Sequence, residues 1–171
     1  YPLSATLAGK KTFTGKYGIF RSPTVDDPEW RYFGSVGEDY EVIQNADLAT
    51  IMEPLAAVWP LETMGALDKG KCIFMAFNTG GADIEGDPIN GYFTLVNQQD
   101  GGHTVKLVYT PVRVVCQNTL ITGLARATVS LQVQHVNGAS KMIEARTNLI
   151  AKAQTAIDDT TAIFRQLAAK K

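Results

Sequence analysis

Apolar and polar residues alternate in short bursts near the start of the chain, separated by turn-forming clusters. Tyr17–Ser22 and Tyr32–Val36 read as two short strands on either side of Pro23-Thr24-Val25-Asp26-Asp27-Pro28, an acidic, turn-rich connection. Tyr40-Glu41-Val42-Ile43 has the look of another strand end. The period then changes from two to between three and four. Leu48, Ile51, Met52 and Leu55 share one helical face, Asn45 offers an N-cap, and Asp47 favours the first turn of a helix running to about Val58. Pro54 lies inside that pattern and is expected to kink or shorten it, and Pro60 closes it.

Two hairpins follow. Met64–Leu67 and Lys71–Asn78 flank Asp68-Lys69-Gly70, while Tyr92–Asn97 and Thr104–Tyr109 flank a Gly- and Asp-containing turn from Gln98 to His103. The Gly- and Asp-rich stretch Thr79–Gly91 between them reads as a surface loop. Thr110-Pro111 supplies a capping hydroxyl and a proline at the first helical position, predicting a helix with Val112, Val115, Cys116, Leu120, Gly123 and Leu124 on its apolar face. Ala127–Val133 alternates as a half-buried strand. After the Asn137-Gly138 turn, Ser140 caps a long helix over 140–168, whose stripe includes Ile143, Ile150, Ile157 and Phe164. The sum is a single α+β domain over 1–171, with a largely antiparallel sheet, hairpins, a β-β-β-α-like core and a long C-terminal helix. Residues 1–16 read as an extended or oligomer-contacting arm.

Composition leaves this picture in place. A chain of 171 residues with 45% hydrophobic and 19% charged residues fits one ordinary globular domain. No apolar run is long enough to span a membrane, and no secretory signal pattern opens the chain, so a cytoplasmic location in a bacterial host cell is expected. The start at Tyr1 rather than Met is expected of an excised region. Cys72 and Cys116 sit in apolar runs without metal-site spacing and read as two buried structural thiols.

Charge changes the picture more. The net charge is −1, yet residues 1–60 hold five Lys/Arg against eight Asp/Glu, 61–100 two against six, and 101–171 nine against three. The basic final part could meet a polyanion, or fold against the acidic loop.

Enzymatic hardware is sparse. His103 and His135 stand alone, and Asp83, Glu85 and Asp87 lack calcium-loop spacing. No Gly-rich stretch forms a phosphate-cradling motif, and a nucleophilic Cys116 lacks an adjacent base in sequence. No catalytic residue, metal or cofactor is expected. Nucleic-acid binding asks instead for cations, backbone hydrogen-bonders and planar faces. Lys69 and Lys71 at the first hairpin, Lys106 before the second helix, Arg113, Gln117 and Asn118 on that helix, and Arg126 at its end are the candidates. Tyr92, Phe93 and Tyr109 would stack on bases unless they are core.

The runs Phe33-Gly34-Ser35-Val36 and Tyr40-Glu41-Val42-Ile43-Gln44-Asn45, and above all Tyr109-Thr110-Pro111-Val112-Arg113-Val114-Val115-Cys116-Gln117-Asn118-Thr119-Leu120, resemble the phage/plasmid-like protein family of unknown function. Thr63–Leu67 and His135 with Asn137 extend the likeness over roughly residues 17–165. The acidic Pro23–Pro28 stretch and the absence of an N-terminal segment often present in such proteins depart from it. The resemblance implies a mobile-element protein, and the coarse fold is similar to single-strand annealing proteins of the Red-beta and Erf kind. Those form rings or filaments and hold DNA in a basic groove between hairpin and helix. The expectation is therefore an oligomeric, non-enzymatic protein that binds and anneals single-stranded DNA for recombination. The alternative is a protein acting through protein contacts, as a host-factor inhibitor or assembly component.

Overall fold

The computed structural model describes residues 1–7, 9–84, 87–127, 129–135 and 149–169. It is a mixed α/β architecture whose sheets are antiparallel throughout the described pairings. Strands β1 (Pro2–Leu7), β2 (Lys10–Arg21) and β3 (Arg31–Val36) form a three-stranded sheet in the order β1-β2-β3. Strands β4 (Leu61–Leu67), β5 (Cys72–Ile84), β6 (Asp87–Gln98), β7 (Val105–Thr110) and β8 (Val129–Val133) form a five-stranded meander. Helices α1 (Asn45–Ala56), α2 (Gln117–Ala125) and α3 (Leu149–Ala168) complete the described elements, with a short 3-10 turn at Asp68–Gly70.

The period-two alternation assigns each face of the large sheet its cover. Met75 and Phe77, Phe93 and Leu95, and Val105, Leu107 and Tyr109 point to one side. There they meet Leu48, Met52 and Leu55 of α1, Trp59, and Ile157 of α3. Phe93 stacks on Trp59 at 5.7 Å and tilts against Tyr109 at 5.2 Å. The strand aromatics Phe93, Tyr92 and Tyr109 are thus core and are withdrawn from base stacking. The opposite face sets Cys72, Phe74 and Val96 against Val114 and Leu120.

Several expectations are corrected. The expected loop over 79–91 is largely strand: β5 to Ile84 and β6 from Asp87 continue past the flanking strands as a two-stranded ribbon, resuming at Gly81↔Asn90 after an irregularity. Within residues 1–16, read as an extended or oligomer-contacting arm, β1 pairs with β2 in the small sheet. Tyr40 makes only an isolated bridge. The helix expected from Thr110 begins at Gln117 instead. Thr110 completes β7 opposite Tyr92, and its hydroxyl accepts the Val112 N–H at 3.3 Å. Val114 is drawn fully into the core, while its carbonyl accepts the Thr63 hydroxyl at 2.7 Å. The Val112–Val115 segment, with β-branched valines at three of its four positions, is thus a non-helical strap. Cys116 then caps α2, and the Thr119 hydroxyl accepts the N–H groups of Val115 and Cys116. Pro54 lies within α1, near its end, as the sequence predicts. The expected start of the final helix at Ser140, with Ile143, lies outside the described residues; a helix is described over Leu149–Ala168.

The two sheets meet where glycine allows it. A Cβ on Gly34 of β3 would lie 2.2 Å from the Asp100 carbonyl oxygen, so only glycine permits this approach. The joint also includes the Tyr40 ring stacked on His135 at 5.0 Å, and the Glu41 N–H donating to the His135 carbonyl at 3.0 Å.

Candidate nucleic-acid interface

The residues predicted to bind DNA are spread along the large sheet. Lys69 and Lys71 sit at the β4–β5 turn, where Lys69 is exposed and Lys71 pairs with Asp68 at 3.0 Å. Lys106 lies on β7 opposite Val96 and Gln132, on the face that α2 covers. Arg113 is in the strap, not on a helix with Gln117, and its Nε contacts Glu62 Oε1 at 2.5 Å. Half of its side chain remains exposed. Glu62 flanks the Leu61↔Phe77 pair, whereas Lys71 adjoins Cys72. Five strand residues separate those positions, roughly 17 Å. Gln117 and Asn118 open α2 and Arg126 closes it, about 13 Å apart along the axis, all three exposed. No single trough collects the seven side chains.

A different set of cations does converge. A cleft of about 790 Å3 opens between the small sheet, the start of α1 and the β4–β5 turn. Arg21 ends β2 and Arg31 begins β3, so the antiparallel register Arg21↔Arg31 brings both guanidinium groups to one end of the sheet. Lys69 reaches the cleft from the opposite wall. It is held in a left-handed conformation (φ 56°) beside Asp68 (φ 48°), in a tight turn unusual for non-glycine residues. Gly70 gives Arg21 room, since a Cβ there would come within 3.1 Å of Arg21 Cδ. Among the described residues, Lys69 has no ion-pair partner and Arg21 Nε is buried without a hydrogen bond.

Asp27 bridges the two arginines. Its carboxylate takes Nε and a terminal nitrogen of Arg31 at 2.8 Å each, as well as a terminal nitrogen of Arg21. The hydrogen bond from Arg31 and the charges of both arginines lower its pKa to about 2, against the opposing effect of burial. Thr24 completes the turn by receiving the Asp27 N–H at 3.2 Å and binding Arg21 at 3.1 Å. The cleft wall is therefore preformed. Three cations face two carboxylates there, Asp26 and Asp27, and Arg31 also pairs with Glu29 at 2.9 Å. Arg21 and Arg31 were not among the residues expected to bind, yet the sequence carries a signal for them: two arginines at the ends of neighbouring strands, joined by a short acidic turn.

An aromatic surface adjoins this cleft. Phe20 borders it, and its ring meets Tyr1 at 5.5 Å and Tyr32 at 5.3 Å, while Tyr1 meets Trp30 at 5.8 Å. Trp30 and Tyr32 are each more than half exposed.

Other chemistry is local. His103 is not alone: its Nδ1 lies 2.8 Å from Asp100 Oδ2. Burial pushes the Asp100 carboxyl up, but hydrogen bonds from His103, the Gly102 N–H and Gln98 outweigh it and hold the pKa at about 2. Cys72 is buried, and burial followed by the charges of Asp100 and Asp68 raises its thiol to about 11. Cys116 is exposed, correcting the expectation of a buried thiol; the Thr119 side chain and nearby N–H groups lower its pKa. Among the described residues, no group of three or more His, Cys, Asp or Glu could hold a metal ion, and no helix is long and apolar enough to cross a membrane.

The family described as Domain of unknown function (DUF932) matches residues 32–171. The chain belongs to this family. Tyr32, Lys69 and the start of α1 fall within the matched region, whereas Arg21, Asp27 and Trp30 precede it. No curated protein matches the chain, and no solved structure does.

Proposed function

We propose that this DUF932 protein is a non-enzymatic, phage- or plasmid-encoded protein that binds and anneals single-stranded DNA in the host cytoplasm, working as a homo-oligomer. The observation that carries the reading is the convergence of Arg21, Arg31 and Lys69 on one open cleft beside an exposed aromatic surface. Single-strand binders combine a cationic groove that tracks the backbone with planar side chains that accept bases of any sequence. Asp27 presets both guanidinium groups, and incoming phosphates compete with it for their donors. Lys71, Lys106 and Arg126 supply further cations along the body. Gln117 and Asn118 offer exposed hydrogen-bonding groups at the start of α2, and Arg113 takes part once it leaves Glu62.

A second reading has its own support. Edge strand β4 exposes Leu61 and Met64, an apolar border suited to protein contacts or to a neighbouring copy. An annealing assay separates the two. Complementary labelled oligonucleotides should pair faster with the protein than without it, in a reaction suppressed by added salt. Stable self-association with no effect on annealing at any salt would favour the protein-contact reading.

A further inference from the structure

We infer that the outer face of the small sheet, centred on Trp30, Tyr32 and Phe20, is the surface on which unpaired DNA bases stack while their phosphates occupy the neighbouring cleft. The inference rests on the single-strand-binding reading and adds to it the place and kind of base contact. Sequence alternation is its first support. Trp30, Arg31 and Tyr32 are consecutive, and β3 is an edge strand of its sheet. Successive residues point to opposite sides, so Arg31 turns to Asp27 and the cleft while Tyr32 turns outward to Phe20. One edge strand thus separates a cationic side from an aromatic side.

The state of the rings is the second support. Tyr1 meets Phe20 and Trp30 edge to face, at interplanar angles of 83° and 87°, and Phe20 tilts by 53° against Tyr32. The rings brace one another by their edges, and Trp30 and Tyr32 stay more than half exposed. An aromatic group left this open in a monomer marks a contact surface. Gly18 helps to seat the surface, because a Cβ there would lie 2.6 Å from the Phe20 ring.

Charge decides what the occupant is. The adjoining cleft holds Arg21 and Arg31, both paired with Asp27 and the second also with Glu29, and Lys69, which has no ion-pair partner among the described residues. A single strand uses both sides: its bases take the planar faces, while its phosphates take Lys69 and compete with Asp27 for the two guanidinium groups.

The test is a binding titration on the full chain, with fluorescent oligothymidylate and an abasic oligodeoxynucleotide of equal length. It compares the wild type, Trp30→Ala, Tyr32→Ala, the double variant and Lys69→Ala, with size-exclusion chromatography on each. Both ring positions are exposed, and unchanged urea midpoints would verify that the variants fold. Each ring lost should weaken oligothymidylate binding roughly tenfold without altering its salt dependence. The abasic strand should bind the wild type no better than oligothymidylate binds the double variant. Lys69→Ala should weaken both probes and flatten the salt dependence. Ring variants that bind like the wild type, while Lys69→Ala still weakens binding, would overturn the stacking surface and leave the function standing. Loss of self-association in the ring variants with unchanged DNA affinity would instead make this face a contact between copies, and would also overturn the inference. No binding by the wild type at low salt would remove both readings.

Discussion

Replacing Gly34 with alanine tests the joint between the two sheets. The new Cβ would lie 2.2 Å from the Asp100 carbonyl oxygen and 2.8 Å from its carbon, both backbone atoms. Ordinary contact begins near ~3.5 Å, so the sheets must part by roughly 1 Å or the 99–104 turn must be displaced. Overpacking of this kind costs about 1–3 kcal/mol, and the upper end applies because no flexible side chain can give way. With a urea m-value of about 2 kcal/mol/M, the unfolding midpoint should fall by roughly 1–1.5 M. Gly37→Ala is the control: nothing lies within 4 Å of its would-be Cβ and its φ is not positive. That change should be neutral or stabilise by up to about 1 kcal/mol, through the unfolded chain alone. Urea unfolding followed by tryptophan fluorescence reads both variants. Equal midpoints for Gly34→Ala and Gly37→Ala would refute the close approach of β3 to the turn.

Further outcomes follow from packing and titration. Phe93→Ala, which removes a ring that is 1% exposed between Trp59 and Tyr109, should cost about 3–5 kcal/mol in the same unfolding assay. Asp27 and Asp100 each have pKa values of about 2, below the ordinary 3.8, so the folded state holds their protons less tightly than the unfolded chain. Their contribution is complete above pH ~4 and is lost as pH falls toward ~2; melting temperatures of Asp27→Asn and Asp100→Asn should therefore vary less across that window than the wild type. Cys116 should react with a thiol reagent well before Cys72 in the native protein, and Thr119→Val should slow it by removing the hydrogen bond that favours the thiolate. Equal labelling of the two cysteines by mass spectrometry would contradict their assigned environments.

What could be read in the sequence was whatever local patterning decides. Both hairpins, α1 with its apolar face, and the β8 segment answer to alternation, helical period and turn chemistry, and they stand close to where these place them. The second helix was misplaced because Thr110-Pro111 is a sound local start signal, while β7 pairing and burial of Val114 are tertiary effects that override it. Thr79–Gly91 looked like a loop because Gly and Asp weaken strand propensity, yet the ribbon is carried by cross-strand pairing at Gly81–Ile84 with Asp87–Asn90. The site was less legible than the fold. Lys69 was singled out and does line the cleft, but its companions Arg21 and Arg31 are distant from it in sequence. They meet only because Gly34 and Gly70 let the two sheets close, a dependence that no single-segment pattern reveals.

The central claim is that cations of one cleft neutralise the phosphates of a single strand, and fluorescence anisotropy of labelled oligothymidylate over a salt series tests it most directly. Three phosphate-contacting cations imply a slope of log Kobs against log[salt] of about −2 for the wild type, shallower by about 0.7 in Lys69→Ala. A slope near zero, or one that Lys69→Ala leaves unchanged, would contradict it.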